Sequence, residues 1–124
     1  GTSFGYDLVS DMTAIPTMKS SGYPVVFDAT HSCQSPGASG TTGGHRGMIP
    51  VLAKSAIAAG ADGLFMEVHN DPDNAPSDGQ NMIRLKDFGG IVETLLEFAT
   101  IAQQAERVTC NDEVPGSIPG GGSI

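Results

Sequence analysis

The chain has 124 residues, of which 14 are acidic and 6 are basic, so its formal net charge is −8. This acidic balance argues against nucleic-acid binding, which needs a basic surface. No apolar run approaches the roughly 20 residues of a membrane span. Two cysteines are few for a disulfide scaffold of this size, so we expect a reducing, cytoplasmic environment. With no signal-peptide pattern and no initial Met, the chain is expected to be a processed or truncated piece.

Apolar runs and helical spacing predict two strands and three helices. The strands read as continuous apolar runs, which is typical of strands buried on both faces. In chain order we predict a helix within 8–20 that breaks early or starts late because of Pro16, a strand over 24–29, a glycine-rich loop over 32–46, a helix over 47–59, a strand over 63–68, a polar loop over 70–81 and a helix over 85–105. Residues 106–124 lose the pattern and are predicted to form a disordered tail.

Strands that alternate with helices indicate an α/β fold with a parallel sheet. Two strands cannot close a barrel or cover both helix faces, and a complete (β/α)8 barrel takes about 250 residues. We therefore expect residues 1–105 to form part of a larger barrel, whose other strands come from elsewhere.

Polar side chains lie at both predicted strand ends, where α/β barrels place their chemistry. His31 follows the first strand, Glu67 ends the second, and Asp78 lies in the loop beyond. One nitrogen and two oxygen donors suit Zn²⁺, Fe²⁺ or Mn²⁺. The alternative is that these are ordinary hydrogen-bonded strand-end residues, since no local metal motif of the HExxH type is present.

Four neighbouring residues leave their roles open at this stage. His69 is a further ligand, a general acid or base, or a loop histidine. Asp28 either orients His31 or is a plain strand-end carboxylate. Arg46 follows two glycines and either reaches a phosphate or carboxylate or is a solvated helix-start residue. Cys33 is more readily a free thiol than a ligand.

Taken together, these segments resemble the 3-deoxy-D-manno-octulosonate 8-phosphate synthase family. The matching stretches, from Thr2 to about Gln103, are SFGYD, LVSDM, PVVFDATHSCQ, GGHRG, AIAAGADGLFMEVH and PSDGQNM. The resemblance implies the last two βα units of a (β/α)8 TIM barrel. It also implies condensation of phosphoenolpyruvate with arabinose 5-phosphate, with loss of phosphate, on the route to lipopolysaccharide. In the family's reaction, C3 of phosphoenolpyruvate attacks the aldehyde, and water adds at C2 before the C–O bond to phosphate breaks.

By position, the resemblance makes His31, Glu67 and Asp78 the metal ligands, and it makes His31 and Asp78 catalytic. Gln34 and Arg46 fall where the family places substrate-facing or loop-ordering groups. Metal-independent members exist, but they tend to have a cysteine where Ser77 precedes the Asp-Gly pair, so a divalent metal is the expected cofactor. The family also implies a homo-oligomer, a tetramer.

Two departures from the family pattern limit what this chain does alone. FGYDL lacks a residue that the family usually has before the Leu. The N-terminal strands, which supply most of the phosphate-binding lysines and arginines, have no counterpart here. We therefore expect the isolated chain to be inactive. The alternatives are an enzyme similar to 3-deoxy-D-arabino-heptulosonate 7-phosphate synthase, which shares the EVH and SDG segments, and a non-catalytic barrel fragment.

Overall fold

The computed structural model describes residues 2–4, 7–36, 42–77 and 79–112. Its strands are β1 (Thr2–Phe4), β2 (Asp7–Val9), β3 (Val26–Asp28), β4 (Gln34–Pro36), β5 (Thr42–Gly44), β6 (Gly63–Phe65), β7 (Val68–His69) and β8 (Ile83–Arg84). Its α-helices are α1 (Ala14–Lys19), α2 (Ile49–Ala58) and α3 (Leu85–Asp112), and single 3-10 turns cover His31–Cys33, Arg46–Met48 and Pro72–Asn74.

The centre of the structure is a parallel pairing of β3 with β6, in which Phe27 lies opposite Leu64. Helix α2 makes the crossover between these strands, as the βα pattern predicts. Strand β7 continues from β6 after two residues and pairs in parallel with β8. Both predicted strands are confirmed, and β8 is an addition that the sequence analysis did not predict.

Helix α2 has the start and the stop that its sequence predicts. Pro50 lies in the first turn, where its missing N–H costs nothing. Gly60 has a φ of 100°, which is a left-handed conformation that favours glycine. The N–H of Gly60 donates to the carbonyl of Ile57 and that of Ala61 to the carbonyl of Ala56. These two bonds form a Schellman motif and end the helix.

Asp62 fastens the amino-terminal ends of β3 and β6. Its Oδ2 accepts a hydrogen bond from the N–H of Val25 at 2.8 Å, and its own N–H donates to the Val25 carbonyl, also at 2.8 Å. Lys19 Nζ reaches Asp62 at 3.4 Å and the carbonyl of Gly60 at 2.8 Å. These contacts hold α1 and both strands together at the end of the sheet opposite the candidate site.

The core lies between the helices and one face of the β3–β6 pair. Its principal cluster of buried residues is Ala29, Cys33, Ile49, Ala53, Ile83 and Leu95, with Phe27 and Leu64 packed against it. Val26 and Phe65, which alternate with them along the strands, are 62% and 49% exposed. One face of the sheet is therefore covered by helices, and the other is open in this chain.

The first helix begins late, which is one of the two outcomes predicted from Pro16. Leu8 belongs to β2, and α1 begins only at Ala14, so that Pro16 falls in its first turn. Two other sequence predictions need correction. The glycine-rich segment is not all loop, since β4 and β5 pair in antiparallel fashion; residues 37–41 lie outside the described part.

The second correction concerns the predicted tail. Helix α3 continues beyond 105 to Asp112, so the tail does not begin at 106. Residues 113–124 lie outside the described part of the chain. Among the described residues, no helix combines the length and the apolar character that crossing a membrane requires.

Candidate active site

Asp28 orients His31 at the carboxyl end of β3. Its Oδ2 lies 2.7 Å from His31 Nδ1, and its Oδ1 accepts a hydrogen bond from the His31 N–H at 3.0 Å. With Nδ1 donating its proton to Asp28, the lone pair of the neutral ring is on Nε2. The orienting role that was left open for Asp28 is therefore confirmed.

The carboxyl group of Asp28 stays ionised in this setting. Partial burial raises its pKa, but hydrogen bonds from the backbone and the ring of His31, together with one from Thr30, outweigh that effect and leave the pKa below its ordinary value. An ionised partner strengthens the hydrogen bond to Nδ1 and makes Nε2 a better electron donor.

Glu67 faces Nε2 of the oriented ring. His31 Nε2 and Glu67 Oε1 are 3.5 Å apart, and the two side chains are 38% and 31% exposed. The ring of Phe65 stacks against His31 with the centroids 6.3 Å apart. One nitrogen and one oxygen donor thus lie close together at the carboxyl ends of β3 and β6, and their role as metal ligands stays a prediction.

Thr30 links the two strand ends across the sheet. Its hydroxyl donates to Asp28 Oδ1 at 3.1 Å and accepts the N–H of Glu67 at 3.2 Å. Only 1% of Thr30 is exposed, so its hydroxyl is shielded from water although both partner groups are only partly buried. This residue sets the spacing between the His31 end and the Glu67 end. This role is invisible in the sequence, because a threonine between an alanine and a histidine carries no signal of a bond to a residue 37 positions away.

Asp78, the third predicted ligand, lies outside the described part of the chain. Within the described residues, no three His, Cys, Asp or Glu side chains are close enough together to hold a metal ion. Two donors of a tetrahedral zinc site are separated by about 3.4 Å when each metal–ligand bond is about 2.1 Å. The separation of 3.5 Å between His31 Nε2 and Glu67 Oε1 fits that geometry.

Arg46 is neither solvated nor free in the described structure. Its Nε donates to the carbonyl of Met82 at 2.5 Å, and its Nη2 donates to the carbonyl of Gly79 at 2.6 Å. Nη2 also lies 3.2 Å from Asp73 Oδ1, whose other oxygen accepts a hydrogen bond from Arg84 Nη2 at 2.9 Å. The resemblance implies either a substrate-facing or a loop-ordering role for Arg46, and these contacts favour the loop-ordering role. The roles of Arg46 and Gln34 in substrate binding remain predictions. The N–H of Gln34 donates to the carbonyl of His31.

Hydrogen bonds bear on the remaining open assignments. His69 Nδ1 accepts the N–H of Asp71 at 2.9 Å, which favours a local structural role for this side chain. Its roles as a ligand or as a general acid or base stay predictions. Cys33 is a free, buried thiol, as predicted, and its Sγ donates to the Ala29 carbonyl at 3.3 Å. Burial raises the pKa of this thiol to about 11, with the nearby Asp28 adding to the effect.

Parallel strands with helices on one side and polar groups at their carboxyl ends define an α/β protein of the (β/α)8 TIM-barrel class, of which this chain is a part. Residues 1–104 match the model of the DAHP synthetase I family. The chain belongs to this family.

Several curated relatives are named 2-dehydro-3-deoxyphosphooctonate aldolase. The one from Rhodopseudomonas palustris strain TIE-1 is 54% identical over 111 residues, which is 87% of this chain and 39% of the relative. That of Agrobacterium fabrum is 56% identical over 105 residues, or 83% of this chain and 37% of the relative. The chain therefore spans less than two fifths of the length of these relatives.

Solved structures agree with the barrel assignment. A crystal structure of the DAHP synthase of Thermotoga maritima aligns with a TM-score of 0.66 and 28% identity, covering 82% of this chain and 27% of that one. A truncated form of the enzyme from the same organism aligns equally well and is covered to 35%.

Proposed function

We propose that this chain supplies one part of an active site that condenses phosphoenolpyruvate with D-arabinose 5-phosphate, forming 3-deoxy-D-manno-octulosonate 8-phosphate and phosphate. The observation that carries this proposal is the identity of 51% to 56% with proteins named 2-dehydro-3-deoxyphosphooctonate aldolase. By comparison, the Thermotoga maritima structure, which is named a phospho-2-dehydro-3-deoxyheptonate aldolase, is only 28% identical to this chain. This chain supplies only part of the active site, because it spans only part of the length of its relatives.

His31 and Glu67 would hold a divalent ion (Zn²⁺, Fe²⁺ or Mn²⁺), with Asp78 as the third ligand from this chain. The fit rests on the oriented Nε2 of His31 and its separation of 3.5 Å from Glu67 Oε1. When bound, such an ion polarises an aldehyde oxygen or orients a water.

The chain's own residues prepare this position before any substrate arrives. Asp28 fixes the ring of His31, Thr30 fixes the backbone of Glu67, and Phe65 covers one side of the imidazole. Fixed donors need no reorganisation during the reaction, which is how a preorganised site lowers a barrier.

A chimera tests the function. In the Agrobacterium fabrum relative, the segment that this chain matches is replaced by this chain, and phosphate release from phosphoenolpyruvate is measured with either a five-carbon or a four-carbon aldose phosphate. An octulosonate product requires the five-carbon sugar, since phosphoenolpyruvate supplies three carbons. Turnover with arabinose 5-phosphate alone supports the proposal, and turnover with only the four-carbon sugar assigns the chain to the heptulosonate reaction. The isolated chain is expected to show no turnover in either assay.

Two histidine variants of the chimera test the metal assignment. His31→Ala is expected to abolish metal retention, whereas His69→Ala retains metal because its Nδ1 serves the loop through Asp71. Metal content is measured after gel filtration. Normal metal content in His31→Ala, or full activity of the unsubstituted chimera after exhaustive chelation, would contradict the assignment.

The cytoplasmic location and the homo-oligomeric state belong to the same proposal. Sedimentation of the active chimera tests the tetramer that the family resemblance implies.

A further inference from the structure

Arg46 joins two segments that are far apart in the sequence. It belongs to the 3-10 turn that precedes α2, whereas its hydrogen-bond acceptors Gly79 and Met82 are 33 and 36 residues further along the chain. The side chain of Arg46 is 25% exposed, so these bonds are partly shielded from water. Planar, divergent donors of this kind allow one side chain to hold several carbonyl groups in fixed relative positions.

Asp73 extends this connection to β8. Its two oxygens contact different arginines, with Arg46 Nη2 at 3.2 Å and Arg84 Nη2 at 2.9 Å. Hydrogen bonds from Arg84 and then from Arg46 lower the pKa of Asp73, so the bridging carboxylate is ionised at neutral pH. We call Arg46, Asp73 and Arg84 the arginine bridge.

Two described positions of the segment that the arginine bridge holds are closely packed. A side chain on Gly79 would collide with the carbonyl oxygen of Pro72. Between the two carbonyls that Arg46 binds lies Asn81, which is only 2% exposed. Close packing leaves Gly79 and Asn81 little room to shift.

The same segment reaches the Glu67 side of the candidate site. The N–H of Ile83 donates to the carbonyl of Glu67 at 2.9 Å, which is the first contact between β8 and the end of the β6–β7 strand. In sequence, the predicted ligand Asp78 also belongs to this segment. The arginine bridge is thus attached to a stretch of chain that bonds to one candidate ligand and contains another.

We propose that Arg46 and Asp73 are positioning residues, which hold segment 72–84 against the Glu67 end of the sheet and so keep the candidate metal site assembled. This inference rests on the proposed function. It gives Arg46 a role through protein contacts rather than through a substrate phosphate.

Hydrogen exchange of the purified 124-residue chain tests the structural part. Arg46→Met and Asp73→Asn are expected to speed amide exchange in peptides covering 71–84 while leaving α2 protected. Lys86→Met, which removes one exposed positive charge at the start of α3, is the matched control and should leave exchange unchanged. Unchanged exchange at 71–84 in Asp73→Asn would overturn the proposal. If Arg46→Met unfolds throughout, the exchange of Asp73→Asn alone decides whether the arginine bridge holds the segment.

Titration with Mn²⁺ tests the connection to the site. Loss of a residue that orients metal ligands typically weakens affinity by about 10- to 100-fold, and we expect this for Arg46→Met, with a smaller loss for Arg46→Lys. Equal affinity in Arg46→Met and the unsubstituted chain, despite faster exchange, would overturn the link to the metal site. If the unsubstituted chain and His31→Ala bind Mn²⁺ alike, the proposed metal function fails, and the exchange experiment still decides the role of the arginine bridge in holding the segment.

Discussion

Replacing Thr30 by valine removes the hydroxyl that connects the two strand ends and keeps the shape of the side chain. Two hydrogen bonds are lost, one to the ionised Asp28 and one from the N–H of Glu67, and that partly buried N–H loses its partner. A bond to a charged group contributes about 1.5–3 kcal/mol and a neutral one about 0.5–1.5 kcal/mol. Because Asp28 is itself partly exposed, we take the lower ends and expect unfolding to become easier by about 2 kcal/mol.

Urea unfolding followed by circular dichroism measures this change. The matched control is Thr100→Val on α3, whose hydroxyl donates to the carbonyl of Leu96 at the exposed surface and whose loss should cost less than about 0.5 kcal/mol. The two variants make the same chemical change, so their difference isolates the buried bridge. Equal midpoints for Thr30→Val and Thr100→Val would refute the reasoning that this hydroxyl holds the strand ends together.

Two further predictions concern the loop and the core. Gly79→Ala is expected to lower the melting temperature, because its Cβ would collide with the Pro72 carbonyl. The control is Gly90→Ala in α3, which has open space around it and should stabilise the helix by about 1 kcal/mol. Calorimetry measures both variants, and a Gly79→Ala chain as stable as the original would contradict the prediction. In a Cys110→Ser background, Cys33 should resist iodoacetamide at pH 8 until urea unfolds the chain, because burial raises its pKa from 9.0 to about 11. This raised pKa means that its contribution to stability is complete below about pH 9 and declines as the pH rises toward 11, which unfolding curves across that range would detect.

The parallel strands could be predicted because their sequence signal is local. Val26 and Phe27 form an apolar run, and Gly60 marks the end of α2 with a conformation that its residue type favours. Strand β8 could not be predicted in this way. It has only two residues, Ile83 and Arg84, and its pairing with β7 depends on a contact made across the intervening loop.

The exact start of the early helix depends on a similar contact. Helical spacing of apolar residues continues through Leu8 and Met12, but strand pairing with β1 takes the backbone of residues 7–9 instead. At the other end, α3 continues past Ala105 although its apolar pattern fades, because a helix already formed extends at little cost when no proline or glycine stops it.

Some residues of the candidate site can be recognised from their residue type, and others only from the fold. His31 and Glu67 were identified because chemically capable residues at strand ends are informative. Thr30 and Asp73 were not identified as positioning groups, since their partners lie 37, 27 and 11 residues away in the chain. A side chain that holds others in place has no characteristic residue type.

Part of the candidate site is ordered in this chain although the barrel around it is incomplete, and the open face of the sheet shows where the missing part belongs. The contacts that orient His31 and Glu67 come from Asp28 and Thr30, all within β3, β6 and the turns that follow them. By contrast, Val26 and Phe65 are left 62% and 49% exposed on the face away from the helices. Orientation of these two donors is therefore encoded in this chain, whereas covering the face beside them requires the further strands that a complete barrel contains.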